Sequence, residues 1–254
     1  MAPPTFQPVT PEDASTVILI RDAQDDIEVY MTRRQDYLLF LGGFYVFPGG
    51  KMDAADYGAE SMARCRGLTP EQAAGVIEGV ERPELAVGLM VAAIRELFEE
   101  AGVLLAEYDD GKALTRPSPE LAQRLSARRE QLQSDKVSMA ELLKSEGLYC
   151  SLARIHWFAH WITPATSPRR FSTYFFVAGK PAGQEASAFE REVARALWIR
   201  PEQALARWRQ DKWKMIPPTI ASLDTLSRYH SWEALKHDFS RPPRDHQRTV
   251  WKTL

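Results

Sequence analysis

A chain of 254 residues, 44% of them hydrophobic, can bury a full core, either as one large domain or as a domain with insertions. Its formal net charge of −2, with acids and bases intermixed, gives no long-range attraction to nucleic acid or an anionic membrane, so an anionic ligand needs a local basic patch or metal ions. Two cysteines, Cys65 and Cys150, make neither a disulfide framework nor a zinc spacing, and with no apolar run of the roughly 18 residues that span a bilayer and no secretion signal the expected setting is soluble and cytoplasmic.

Residues 1–14 are polar and Pro-rich and read as an extended lead-in. Residues 16–20 are apolar and β-branched, 22–26 read as a turn, and 27–31 alternate, which predicts a hairpin. Arg33 and Arg34 close its second strand, either solvated or, just ahead of a glycine segment, in contact with phosphate. Residues 38–47 are apolar and aromatic and lead into Pro48-Gly49-Gly50-Lys51. On its own this is a turn signal, but adjacent glycines also let the backbone approach a ligand, and a carbonyl there can coordinate a metal. Thr69-Pro70-Glu71-Gln72 starts a helix, with Thr69 as N-cap and Gln72 in capping-box position.

Pro83 opens a longer helix that runs to about residue 101. Val87, Met90, Ile94, Leu97, Phe98 and Ala101 form its core-facing stripe, and Gly102 supplies the left-handed stop. Glu96, Glu99 and Glu100 fall together on the other arc at i, i+3, i+4, where unpaired like charges repel. Such an arc is either a solvated acidic face or, with a divalent cation bound, a site; Arg95 can hold Glu99 at i+4. All-oxygen donors suit Mg²⁺ or Mn²⁺ rather than zinc.

Beyond the helix, apolar residues 103–106 lead to an Asp109-Asp110-Gly111 turn. Ser118-Pro119 and Ser138-x-x-Glu141 start two more helices, the first with Arg124, Arg128 and Arg129 on a solvated face. A strand from Ile155 would put His156 and His160 on one face, as core histidines or as metal ligands with no third ligand nearby. Arg169 and Arg170 stand at a loop-to-strand junction, suited to clamping a phosphate or to a structural ion pair. Strands follow at 172–178 and 193–199, then helices from Pro201 and over 217–238, and a polar tail at 240–254.

Phe47-Pro48-Gly49-Gly50 followed by Arg95-Glu96-Leu97-x-Glu99-Glu100-x-Gly102-Val103 resembles the Nudix box, G-x5-E-x7-R-E-U-x-E-E-x-G-U with U aliphatic. The second half matches at every fixed position. The first half departs from it: Arg95 comes 45 positions after Gly50 instead of fourteen, an insertion of 31, and the position eight before Arg95, where the family has glutamate, is Val87. The inserted segment is expected to take over the supporting role of that glutamate. The stretches 31–53 and 161–171 further resemble the peroxisomal coenzyme A diphosphatase branch.

This resemblance implies an α/β/α sandwich with a mixed sheet, as a single domain over 1–254 with helical insertions at about 54–82 and 112–147. It implies Gly49 (through its carbonyl), Glu96, Glu99 and Glu100 as ligands of Mg²⁺ or Mn²⁺, with Glu192, or second Glu190, adding a carboxylate. Glu96, Glu99, Glu100 and Arg95 would be the catalytic group, with the identity of the base left open. Arg33, Arg34, Gly50, Lys51, Arg169 and Arg170 are the expected substrate contacts. The implied reaction cleaves coenzyme A or its thioesters; another X-linked nucleoside diphosphate (NADH, ADP-ribose, a nucleotide sugar) or a non-catalytic nucleotide-binding module are the alternatives. The partner is then a small nucleotide, with neither nucleic acid nor membrane, and a homodimer is among the oligomeric states left open.

Overall fold

The N-terminal apolar runs form the expected hairpin, β1 (Glu12–Ala23) and β2 (Asp26–Arg34), closed by a two-residue turn in which Gln24 takes a positive φ of 54°. A computed structural model describes residues 9–189, 193–240 and 250–252, the last three by backbone alone. After β2 come β3 (Tyr45–Val46) and β4 (Gly49–Lys51), then a 3₁₀ turn (Ala54–Tyr57), α1 (Ala59–Met62), β5 (Cys65–Arg66), α2 (Pro70–Val76) and the long α3 (Pro83–Ala101). The chain continues through β6 (Ala106–Tyr108), α4 (Pro119–Leu132), α5 (Met139–Ser145), β7 (Leu148–Ser151), β8 (His156–Ile162), β9 (Phe171–Gly179) and β10 (Val193–Ile199). It ends with α6 (Pro201–Arg209), α7 (Pro217–Leu226), α8 (Trp232–Phe239) and β11 (Val250–Lys252).

The main sheet is mixed, in the order β10-β2-β1-β9-β8-β11, with β1 parallel to β9 and antiparallel to β2. Toward the start of β1 the hairpin opens, and β4 pairs with β1 while β3 pairs with β2. Val17, Ile18, Leu19 and Ile20 are all fully buried, as expected for a central strand covered on both faces. Val17 and Leu19 join Tyr174 and Phe176 under α3, whereas Ile18 and Ile20 join Phe175 and Val177 under α6, α7 and α8. The result is the expected α/β/α layering. The tail is not wholly irregular, since β11 adds a parallel strand to β8, and the helical run expected over 217–238 is two helices, α7 and α8. Among the described residues no helix is long and apolar enough to cross a membrane.

Two sequence expectations change here. A bulge in β8 shifts its register between Trp157 and Ala159, so His156 lies opposite Val177 on one face and His160 opposite Tyr174 on the other. The two histidines therefore do not share a face: His160 stacks on Tyr174 and its Nε2 lies 2.8 Å from Ser172 Oγ. The insertions are also not purely helical. The first contributes β5 to a second, three-stranded sheet, β5-β7-β6, whose other two strands flank the second insertion, and in it the free thiols Cys65 and Cys150 stand in register.

This lobe covers the outer side of α3. Besides the expected stripe, Ala86, Gly88, Leu89, Val91, Ala92 and Ala93 are buried, and Gly88 lies so close to Tyr57 that a Cβ would come within 2.7 Å of that side chain. The loop after β9 is fastened to the lobe by Gln184, which is 7% exposed. Its Oε1 accepts from the Leu104 amide at 2.9 Å, and its Nε2 donates to the carbonyls of Leu104 and Leu114 at 3.0 and 2.7 Å. Gln184→Leu removes a partner from three buried backbone groups at about 1–3 kcal/mol for each one left unsatisfied. Thermal unfolding is expected to shift down by at least about 6 °C; an unchanged Tm would show that water replaces these bonds.

Candidate active site

Helix α3 carries the carboxylates. Pro83 occupies its first turn and Gly102, at φ 68°, ends it while donating its amide to the Phe98 carbonyl. With Ile94, Leu97, Phe98 and Ala101 in the core, Glu96, Glu99 and Glu100 emerge together on the side facing β4. The Glu96 carboxylate lies directly on Gly50, in the space that a side chain there would fill. Gly49 pairs with Thr16 of β1 and turns its amide toward Glu100 Oε2 at 3.4 Å. Glycine is required at both positions, because a Cβ on Gly49 would meet the Ser15 carbonyl and Thr16 at 2.6 Å.

Arg95, only 8% exposed, binds this arrangement together. Its Nε and Nη2 donate to the two oxygens of Asp56, both at 3.0 Å, in the bidentate fork that suits a carboxylate. Nη2 also donates to the Lys51 carbonyl at 2.7 Å, and Nη1 donates to Glu96 Oε1 at 2.7 Å and Glu99 Oε1 at 3.2 Å. Asp53 adds a fifth acidic or carbonyl neighbour at 3.6 Å. Burial works against the guanidinium charge, but the hydrogen bonds to Asp56 and the charges of Glu96, Asp56 and Glu99 outweigh it and raise its pKa.

One cation does not balance these acids. Burial pushes Glu96 up to about 7, with Glu99 and Asp56 adding to the rise and Arg95 opposing it; burial raises Glu99 as well. Among the described residues no three acidic, imidazole or thiol groups already converge as a cage. Glu96 and Glu99 are drawn to Arg95, and Glu100 faces Gly49 and, at 4.0 Å, Arg34. The donors are all oxygen, and the excess of buried negative charge fits a hard divalent cation.

The other sequence candidates divide. Successive strand residues point to opposite faces, so Arg34 reaches Glu100 while Arg33 turns away to Asp36 at 2.6 Å. The Lys51 side chain pairs with Glu12 at 2.5 Å, and only its carbonyl serves the cluster. Arg170 donates to the carbonyls of Thr163 and Val9, tying three segments as a structural clamp, and the neighbouring Arg169 is exposed. The structure does not bring Arg33, Arg169 or Arg170 to the carboxylates. Glu190 and Glu192 lie outside the described residues; the next residue, Val193, pairs with Arg34.

Asp56 is the residue that sequence reasoning missed. It is 2% exposed and is the principal partner of Arg95. The signal was present: counted forward from Gly50, the acid of the G-x5-E half is Asp56, and counted backward from Arg95 it is Val87. Val87 is 2% exposed within the hydrophobic core, so the interruption of the box falls after Asp56, and the acid's place is kept rather than taken over by the inserted segment.

The sequence pattern of the NUDT19 Nudix domain matches residues 11–226. The chain is 27% identical over 245 residues to an acyl-coenzyme A diphosphatase NUDT19 of Gallus gallus, covering 85% of this chain and 65% of that protein. It is 24% identical over 230 residues to the protein of that name from Xenopus laevis, covering 80% and 60%. The chain thus spans less than two-thirds of the length of both relatives. The crystal structure of a Nudix hydrolase from Alicyclobacillus acidocaldarius superposes with a TM-score of 0.73 at 30% identity, covering 90% of this chain and 96% of that one. The match over 11–226, with the layered fold and the Arg95-centred carboxylates, establishes that the chain belongs to the NUDT19 Nudix domain family.

Proposed function

We propose that this chain is a divalent-metal-dependent diphosphatase that splits coenzyme A or acyl-coenzyme A into 3′,5′-ADP and (acyl-)phosphopantetheine, with Mg²⁺ or Mn²⁺ as its cofactor. The observation that carries this reading is the gathering of three helix carboxylates beside Gly49 and Gly50, Glu96 and Glu99 held by one buried arginine and Glu100 facing the Gly49 amide. The two relatives named acyl-coenzyme A diphosphatase support the choice of substrate. We take the sheet, the lobe and the flanking helices as one catalytic domain.

Glu96, Glu99 and Glu100, with the Gly49 carbonyl, would hold the cation, and Glu192 is the further carboxylate we assign to it. A divalent ion held there neutralises the diphosphate and polarises its phosphoryl oxygens. The chain's own groups do the rest. The two glycines let β4 close against β1 and the Glu96 carboxylate, and Arg34, next to Glu100, offers the diphosphate a guanidinium. Arg95 does not touch substrate. It fixes the carboxylates before substrate arrives, so little reorganisation is needed as water adds to phosphorus and the bridging P–O bond breaks. A carboxylate free of the ion takes the water's proton; Glu→Gln variants at 96, 99 and 100 identify it.

Three outcomes are expected. With Mg²⁺, coenzyme A and acyl-coenzyme A are hydrolysed with kcat/KM well above that for NADH or ADP-ribose; the reverse ranking overturns the substrate assignment. Glu99→Gln lowers kcat by roughly 10²–10³-fold with an unchanged circular dichroism spectrum, and equal turnover overturns the site. Asp56→Ala leaves a buried guanidinium short of its main partner at a cost of about 3–5 kcal/mol, lowering both denaturation midpoint and kcat. Wild-type values of both for Asp56→Ala would remove Arg95 from its organising role.

A further inference from the structure

The arginines of α4, in the second insertion, read in the sequence as a solvated face, and two of them share one glutamate at the end of α5. Arg124 and Arg128 pair with Glu146 at 2.8 and 3.8 Å. Arg129 is different. Its Nε donates to the main-chain carbonyl of Glu99 at 2.9 Å, and its Nη1 and Nη2 donate to Ser187 Oγ and O at 3.1 and 2.9 Å. At the C-cap of α4, Gln133 Nε2 donates to the same Glu99 carbonyl.

The last four carbonyls of a helix have no partner within it, and Glu99 is third from the end of α3. The inserted helix therefore supplies two donors to an end carbonyl of the helix that bears the carboxylates. A cation at that terminus also suits the negative pole of the helix. Gly102 makes room for it, since a Cβ there would lie 2.8 Å from Arg129 Nη1 and 2.9 Å from Ser187 Oγ. Ser187 in turn donates its amide to the Ala101 carbonyl at 2.8 Å, so the loop after β9 closes over the same end. All three guanidinium nitrogens of Arg129 are engaged with protein groups.

We propose that Arg129 and Gln133 are positioning residues that fix the last turn of α3, and with it Glu99 and Glu100, so that the second insertion is a working part of the metal site. This rests on the reading of those carboxylates as cation ligands. Arg129 acts through the Glu99 main chain, and its truncation changes how well the carboxylates are held rather than how the nucleotide is gripped.

The test compares Arg129→Met, Arg129→Lys, Gln133→Leu and the control Arg124→Ala in the full chain. Mn²⁺ affinity is read from the EPR signal of free Mn²⁺, alongside steady-state kinetics. Arg129→Met is expected to weaken Mn²⁺ binding about ten-fold or more and to lower kcat comparably, with KM for the nucleotide within two-fold. Gln133→Leu is expected to show the same pattern at smaller amplitude, and Arg124→Ala to match wild type. Should Arg129→Met fail to fold, Arg129→Lys decides: it keeps the charge but cannot bridge Glu99 and Ser187, and a few-fold loss of Mn²⁺ affinity is expected. Wild-type Mn²⁺ affinity in the folded Arg129 variant, or an equal loss in Arg124→Ala, overturns this inference alone. Wild-type protein that binds no Mn²⁺ overturns the metal site itself, and this inference with it.

Discussion

The buried guanidinium of Arg95 is the interaction on which the site depends. A charge removed from water costs several kcal/mol unless its hydrogen-bonding capacity is met, and here the acceptors come from three segments: Asp56 in the 3₁₀ turn, the Lys51 carbonyl in β4, and Glu96 and Glu99 on its own helix. Arg95 thereby sets the distance between helix, strand and turn as well as the positions of Glu96 and Glu99. Arginine is suited to this because it stays protonated and presents its donors in a fixed fork. A lysine would supply a point charge that cannot span Asp56 and the two glutamates together.

The same ion explains how a long interruption of the box is tolerated. Asp56 and Arg95 are 39 positions apart in the chain, yet they meet in a bidentate pair. Loop-closure entropy grows only slowly with length, so lengthening the connection weakens the pair little provided the extra residues fold. They do. Together with the strands that flank the second of them, the inserted segments build a small sheet and several helices that bury the outer side of α3, which turns a helix with one apolar stripe into one enclosed along most of its length. The insertion thus returns, as packing on α3, part of what the interruption removes.

Much of this was legible in the sequence because it is written in local periods. The apolar spacing through Val87, Ile94, Leu97 and Ala101, the Gly102 stop and the 96/99/100 spacing all report one helix and its two faces, and the β-branched runs report strands. The features that were hidden depend on long-range geometry. A two-residue strand such as β5 has no period of its own, so the second sheet left no trace. The bulge in β8 that separates His156 from His160 adds one residue to a run whose composition still reads as a regular strand. The division of Arg33 from Arg34 follows from strand alternation alone and was available. Asp56 was also available, but only by counting the box from its glycine. Arg129 and Gln184 act on backbone groups remote in the chain, which residue type alone does not reveal.

The central claim is that the carboxylates collected by Arg95 are a cation site. Crystals equilibrated with Mn²⁺, with diffraction recorded at the manganese edge, test it most directly. An anomalous peak bordered by Glu96, Glu99 and Glu100 beside Gly49 is the expected result. A peak elsewhere, with those three side chains still closed on Arg95 and Gly49, would contradict it.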